Sequence, residues 1–309
     1  MADRPRLTPA IADVRRAVRA FLPASAEPAP LVLVALSGGP DSLALAAATA
    51  FEAPRAGLRA GAVIVDHGLQ DGSAEIAERA ASQAAGLGLD PVQVVRVEVS
   101  AQGEGVEAAA RAARYAALDA AAEELGAVAV LLGHTLDDQA ETVLLGLARG
   151  SGAASLQGMA PRNGRYLRPL LGIRRATTVQ ACADAGLRPW ADPHNADPRY
   201  ARVRARRTVL PVLESELGPG VAEALARTAE QLREDAEALD AFADEVAEDV
   251  AELEEAGVSL GVTALAANPA ALRQRIIRLV AASEFHVSLT RSQTLAVARL
   301  VTDWHGQGP

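Results

Sequence analysis

The chain has 309 residues, a formal net charge of −9, a residue content that is 50% hydrophobic, and a single cysteine, Cys182. No apolar run approaches the roughly 18 residues a membrane span needs, and the opening MADRPRLTPAIADVRRAV lacks the apolar centre of a signal peptide, so a soluble cytoplasmic protein with no membrane partner is expected. The lone cysteine excludes an internal disulfide and a cysteine-pair metal site, and the length suggests about two domains.

A helix is expected near Ile11 to Phe21, then a Pro/Ala-rich connector. From there strand and helix alternate, with strands at Leu31 to Leu36, Ala62 to Val65, Val92 to Val99 and Val128 to Leu132, and the clearest helices at Ser73 to Leu87 and Val106 to Leu125. Near-continuous apolar strands joined by helices imply an α/β fold with a doubly wound parallel sheet covered on both faces. Such sheets bind ligands beyond the carboxyl ends of their strands. Asn163-Gly164 signals a hairpin turn ahead of Arg168-Pro169-Leu170-Leu171. Past Pro211 the pattern is helical, with Gly218-Pro219-Gly220 as the boundary of a smaller, all-helical C-terminal domain, 218–309, carrying three further helices. The turn-like ending from His305 to Pro309 raises the expectation of a further C-terminal element.

The loop Leu36-Ser37-Gly38-Gly39-Pro40-Asp41-Ser42 joins the first strand to a helix. A helix N-terminus gathers unpaired N–H groups and the positive end of the dipole, which favours phosphate. Gly38 and Gly39 let the backbone approach closely, and Ser37 and Ser42 offer hydroxyls. Asp41 would repel phosphate unless it holds Mg²⁺ against it. A Walker A loop is excluded because the chain contains no lysine; the same absence removes Schiff-base and general-base lysines. The plainer reading is a tight turn with Asp41 as a cap.

Gly133 to Thr142, GHTLDDQAET, places Asp137, Asp138 and Glu141 in the first turns of a helix, on neighbouring faces. These carboxylates could bind Mg²⁺ or a cationic substrate; taken alone, Thr135 and Asp138 read as a capping box. The loop holding Asp66-His67-Gly68 falls at the same sheet edge, although His67 alone reads as structural. From Arg149 to Arg207 positive charge dominates, and Arg199, Arg202, Arg204, Arg206 and Arg207 suggest a polyanion contact, with a solvated helix as the alternative.

SGGPDS resembles the pyrophosphate loop of the N-type ATP pyrophosphatases, the PP-loop superfamily. The ordered set LSGGPDS, VDHGLQ, EAAARAARY, GHTLDDQAET, GLARGSGAASLQGM, RPLL and WADPHNADPRYARVRARRTVLPVL narrows the resemblance to the tRNA(Ile)-lysidine synthetases over roughly Leu31 to Leu213. Two positions depart from that pattern: His194 stands where serine is usual, and Val203 where asparagine is usual.

The resemblance implies an ATP-pyrophosphatase catalytic domain at 1–217. It further implies ATP phosphates on Ser37, Gly38, Gly39, Pro40, Asp41 and Ser42, and Mg²⁺ on Asp41 and Asp138. Arg111, Arg114, His134, Asp137, Asp138 and Glu141 would line the reaction centre with Asp41. The implied substrates are a tRNA(Ile) with a CAU anticodon and free L-lysine; a homodimer is compatible with the resemblance. For Arg111 and Arg114 a solvated helix face is the alternative. Two rivals stand beside this reading: another superfamily ligase or tRNA thiolase, for which Cys182 lacks a partner cysteine, and a noncatalytic nucleotide-binding module.

Overall fold

A computed structural model describes residues 7–68, 72–97, 106–150, 152–192, 196–255 and 257–303. Leu69 and Gln70 of VDHGLQ, the end of the strand expected to reach Val99, His194 and the ending from His305 lie outside them. Helix α1 (Pro9–Phe21) opens with the Ile11 N–H donating to Thr8 Oγ1 at 3.4 Å and with proline at its first position, where a missing N–H costs nothing. Then β1 (Leu31–Ala35), α2 (Pro40–Glu52), β2 (Arg59–Asp66), α3 (Ser73–Gly86), β3 (Val92–Arg96), α4 (Val106–Glu124), β4 (Ala127–Leu132) and α5 (Leu136–Arg149) alternate in the expected manner. A short α6 (Ala153–Leu156) precedes the Asn163-Gly164 hairpin, β5 (Arg162–Asn163) with β6 (Tyr166–Leu167). Next come α7 (Arg175–Asp184), α8 (Ala201–Arg204), a π-helical turn at Ala205–Val209 and α9 (Leu210–Leu217).

The sheet order is β3-β2-β1-β4-β6-β5, parallel throughout except for β5, which runs antiparallel to β6. Strand order reverses between β1 and β4, so the crevice at their carboxyl ends is the topological switch point. β1 is buried along its whole length because its two faces meet different layers. Val32 and Val34 pack in one core with residues of α1, α2, α3 and α7, while Leu31, Leu33 and Ala35 pack in another with Leu118, Ala121 and Ala122 of α4. That period of two explains why an unbroken apolar run folds as a central strand.

The chain divides into two compact units, Met1–Ala229 and Glu230–Pro309, within the single helix α10 (Val221–Val250). The second unit contains β7 (Ala251–Glu254), β8 (Gly257–Leu260), α11 (Val262–Ala267), α12 (Ala270–Phe285) and α13 (Arg291–Thr302) around a core that includes Ala243, Ala247, Leu265, Ile276 and Ile277. It is helical, with two departures from the expectation: the described residues past Gly218 form four helices, α10 to α13, where three are expected, and they add the antiparallel β7–β8 hairpin. Ala251-Glu252-Leu253-Glu254 holds no β-branched or aromatic residue, so propensity gives no sign of a strand there. No helix among the described residues is long and apolar enough to cross a membrane.

Candidate active site

The loop between β1 and α2 delivers the chain to a helix N-terminus with no side-chain cap. Its first-turn N–H groups therefore remain for an anion. Gly38 adopts φ +79°, a conformation open to glycine, and its carbonyl accepts from the Trp190 N–H at 2.9 Å. Ser42 Oγ accepts from the Ser37 N–H at 3.2 Å and donates to the Gly39 carbonyl at 3.0 Å. The loop is thus closed by its own hydroxyl. Gly133, at the end of β4, packs flush against it: a Cβ there would lie 3.0 Å from the Ser42 nitrogen and 3.1 Å from the Asp41 carbonyl carbon.

A cavity of about 310 Å³ opens beside the loop, with Ser37, Asp66, His67, Ser73, Arg114 and Trp190 in its wall. Burial would raise the Asp66 carboxyl, but hydrogen bonds from the Gly68 N–H and from Ser73 hold it below the usual range. Burial, then Arg114, pushes His67 below its ordinary value against the pull of Asp66. Burial also lowers Arg114, and Arg111 adds to the effect while Tyr115 opposes it. His134 is pushed down to about 3, chiefly by burial, so its imidazole is neutral at working pH. The Nδ1 atoms of His67 and His134 are buried with no hydrogen-bond partner among the described residues. Arg111 does not line this cavity; it is exposed on α4, its guanidinium carbon 5.0 Å from the Tyr115 ring centroid.

On α5 the capping box and the acid cluster coexist. Asp138 Oδ2 accepts from the Thr135 N–H at 2.8 Å and from its hydroxyl at 2.7 Å, while Oδ1 accepts from Arg175 Nη2 at 2.8 Å and Arg206 Nη2 at 3.3 Å. Glu141, one turn on and 0% exposed, accepts from Arg175 Nη1 at 3.2 Å, Arg202 Nε at 3.0 Å and Arg206 Nε at 2.6 Å. Asp137 accepts from Arg174 Nη1 at 3.1 Å and from the Arg175 N–H at 2.7 Å. Asp41 reaches the same network, its Oδ2 accepting from Arg175 Nε at 3.4 Å and its Oδ1 from the Thr178 hydroxyl. Buried charges persist only when paired in this way.

Burial raises the Asp41 carboxyl, and Thr178 and Arg175 oppose the rise without cancelling it. For Asp138 burial also pushes upward, but Arg175 and the Thr135 hydrogen bonds win, and its carboxyl lies below the usual range. The acids, Asp138 foremost, more than offset the burial of Arg175 and hold its guanidinium above the ordinary arginine value.

No group of three or more His, Cys, Asp or Glu among the described residues is disposed to hold a metal ion. Asp41 and Asp138 nevertheless turn one oxygen each toward a single cationic group, Arg175. Paired carboxylate oxygens beside a phosphate loop are a donor set that suits Mg²⁺.

Arg202 and Arg206 do not stand free for a polyanion. Their i, i+4 spacing puts both on the face of α8 and the π-turn that packs on α5, and Glu141 takes both guanidinium groups. Arg204 and Arg207 turn outward instead. Sequence reasoning missed Arg174, Arg175 and Thr178. Their one signal was a pair of arginines opening a helix, where the dipole disfavours cations. It also missed Gln139, whose amide accepts from the Met159 N–H at 2.7 Å and donates to the Met159 carbonyl at 3.1 Å, joining the DDQAET and LQGM motifs. A smaller pocket of about 150 Å³ is lined by Asp137, Glu141, Arg174, Arg206, Leu210 and Glu214 among others.

The PP-loop domain family matches residues 12–213. A tRNA(Ile)-lysidine synthase from Leifsonia xyli is 68% identical over 283 residues, 91% of this chain and 85% of that protein. The tRNA(Ile)-lysidine synthase from Thermobifida fusca is 56% identical over 304 residues, covering 97% of this chain and 91% of its own length. The U34-tRNA thiolase NcsA from Methanococcus maripaludis shares the fold at a TM-score of 0.60 and 19% identity, over 73% of this chain and 79% of that chain. Phosphate loop, acid cluster and these relatives agree: the chain belongs to the tRNA(Ile)-lysidine synthase family of PP-loop proteins.

Proposed function

We propose that this chain uses ATP to adenylate the C2 oxygen of the wobble cytidine in a tRNA(Ile) with a CAU anticodon, then replaces AMP with lysine. The product reads AUA instead of AUG. In the first step the C2 oxygen attacks the α-phosphate and pyrophosphate departs. In the second, the lysine side-chain amine bonds to C2 and the C2–O bond breaks, releasing AMP. A base in a single-stranded anticodon loop is easily turned out for such chemistry.

Residues take roles by position. The Ser37–Ser42 loop cradles the phosphates, and Arg114 in the cavity wall offsets charge on the adenylated base. Neutral His134 can donate or accept a hydrogen bond without adding charge. Mg²⁺ at Asp41 and Asp138 would neutralise phosphate charge. In the smaller pocket, Asp137, Glu141 and Glu214 suit ammonium groups, and Arg174 suits the amino-acid carboxylate. Arg111, exposed beside the cavity region, and outward-turned Arg204 and Arg207 suit tRNA phosphates. The catalytic part is residues 1–217, followed by the helical part at 218–309, and the enzyme works in the cytoplasm.

The observation that carries this reading is that Arg175 bonds at once to Asp41 of the phosphate loop and to Asp138 and Glu141 of the acid cluster, so nucleotide and amine sites adjoin. A thiolase reading finds no support in Cys182, whose thiol is buried against the Pro40 carbonyl and pushed up to about 12, chiefly by burial. The test is exchange of labelled pyrophosphate into ATP. It should require tRNA and not lysine, and adding lysine should then release AMP. Exchange that needs lysine but ignores tRNA would overturn the reading.

A further inference from the structure

Arg175 meets every acid of the cluster. Its backbone N–H serves Asp137, while Nε, Nη2 and Nη1 serve Asp41, Asp138 and Glu141. Among the described residues it is the one basic side chain bonded to Asp41; Arg202 and Arg206 reach Glu141 but not Asp41. We propose that Arg175 is a positioning residue that acts as an internal stand-in cation, keeping Asp41 and Asp138 aimed at one point until Mg²⁺ arrives with the nucleotide and displaces its guanidinium. This rests on the proposed Mg²⁺ and ATP binding at Asp41.

Three features support the exchange. The fork of one guanidinium spans Asp41, Asp138 and Glu141, so its charge sits where a divalent cation shared by Asp41 and Asp138 would lie. A guanidinium and Mg²⁺ repel each other, so the two cannot share the space between Asp41 and Asp138. The guanidinium can also leave without unseating its helix. Its contact with Asp41, at 3.4 Å, is the longest of its side-chain bonds, and the bond holding α7 to Asp137 at 2.7 Å is made by the backbone.

The test uses Mn²⁺ as a paramagnetic probe of cation binding to the full chain without nucleotide. Wild type should bind weakly, and Arg175→Gln should bind about tenfold tighter or more once the resident charge is gone. The melting temperature of that variant should rise with Mg²⁺ while that of wild type stays flat. Arg202→Gln, which also removes a guanidinium from Glu141, should bind Mn²⁺ as weakly as wild type. An Arg175→Gln affinity no tighter than wild type, or an equal gain in Arg202→Gln, overturns the proposal. Should Arg175→Gln fail to fold, the wild-type protein still decides. Its Arg175 Nε–H resonance, assigned by its loss in Arg175→Lys, should move when Mg²⁺ is added to a complex with a non-hydrolysable ATP analogue. A resonance unmoved by the metal also overturns the proposal. Wild-type pyrophosphate exchange remains a separate readout: its failure alongside the expected Mn²⁺ behaviour would remove the lysidine reading and leave the cation exchange standing.

Discussion

Asp137 on α5 caps α7 across the fold, its Oδ2 accepting the backbone N–H of Arg175 at 2.7 Å. Helix α7 has no side-chain cap of its own and begins with arginines against the dipole. Asp137→Ala should therefore cost about 1–2 kcal/mol of stability, the usual worth of a lost cap. Asp137→Asn keeps an acceptor oxygen and should cost less. Urea denaturation of both variants measures this; equal losses would show that charge, not the cap, is what Asp137 supplies.

Glu141 is fully buried among Arg175, Arg202 and Arg206. Removing its charge leaves three guanidinium groups without their shared anion. Glu141→Gln should destabilise by about 3–5 kcal/mol, as breaking a buried ion pair does. Calorimetry gives the value, and a loss under about 1 kcal/mol would place the cluster in the range of surface pairs.

Asp41 lies in the first turn of α2, and among the described residues its side chain bonds to Arg175 and Thr178. Asp41→Asn should keep a near wild-type melting temperature and lose tRNA-dependent pyrophosphate exchange by about 100-fold or more if it helps to hold Mg²⁺. Retained exchange would dismiss Asp41 from metal binding.

His134 has a folded value of about 3 against an ordinary 6.5. Between those two values the unfolded chain binds a proton that the folded chain refuses. This contribution is fully present above pH 6.5 and is lost as pH falls from 6.5 toward 3. His134→Asn should make stability less dependent on pH in that window by up to one proton. Denaturation midpoints measured from about pH 7 to pH 4 report this slope; parallel slopes for variant and wild type would contradict it.

Arg204 and Arg207 face outward where Arg202 and Arg206 face in. Replacing the outer pair with alanine should flatten the log–log salt dependence of tRNA binding by roughly 0.7–0.9 per lost phosphate contact. Replacing the inner pair should instead lower stability and disturb the site. Filter binding at several salt concentrations separates the two patterns, and an unchanged slope for the outer pair would make them a solvated face.

Much of this fold was legible because its signals are local. Five apolar residues before a glycine turn read as a central strand, and Asn163-Gly164 read as a hairpin. The acid cluster was legible for the same reason, since helical spacing alone puts Asp137, Asp138 and Glu141 together. Arg175 was not, because its importance comes from contacts with residues 34 to 134 positions away along the chain. Arg202 and Arg206 were misread as polyanion contacts because charge shows in a sequence while the direction a side chain faces does not. The β7–β8 hairpin has only a four-residue alternation in each strand behind it, Ala251-Glu252-Leu253-Glu254 and Gly257-Val258-Ser259-Leu260, too short to stand out beside a long helical pattern.

Among the described residues every cation bonded to the acid cluster is a guanidinium, and the sequence has no lysine. Arginine stays protonated and is a poor nucleophile. For the reaction proposed here the choice governs side products. A lysine placed where Arg175 or Arg206 sits would hold a primary amine beside the activated cytidine, and the protein would become its own substrate, bonded to tRNA. With guanidinium groups alone, no side-chain amine of the protein can intercept the intermediate, and the amine that enters from solution meets no internal competitor.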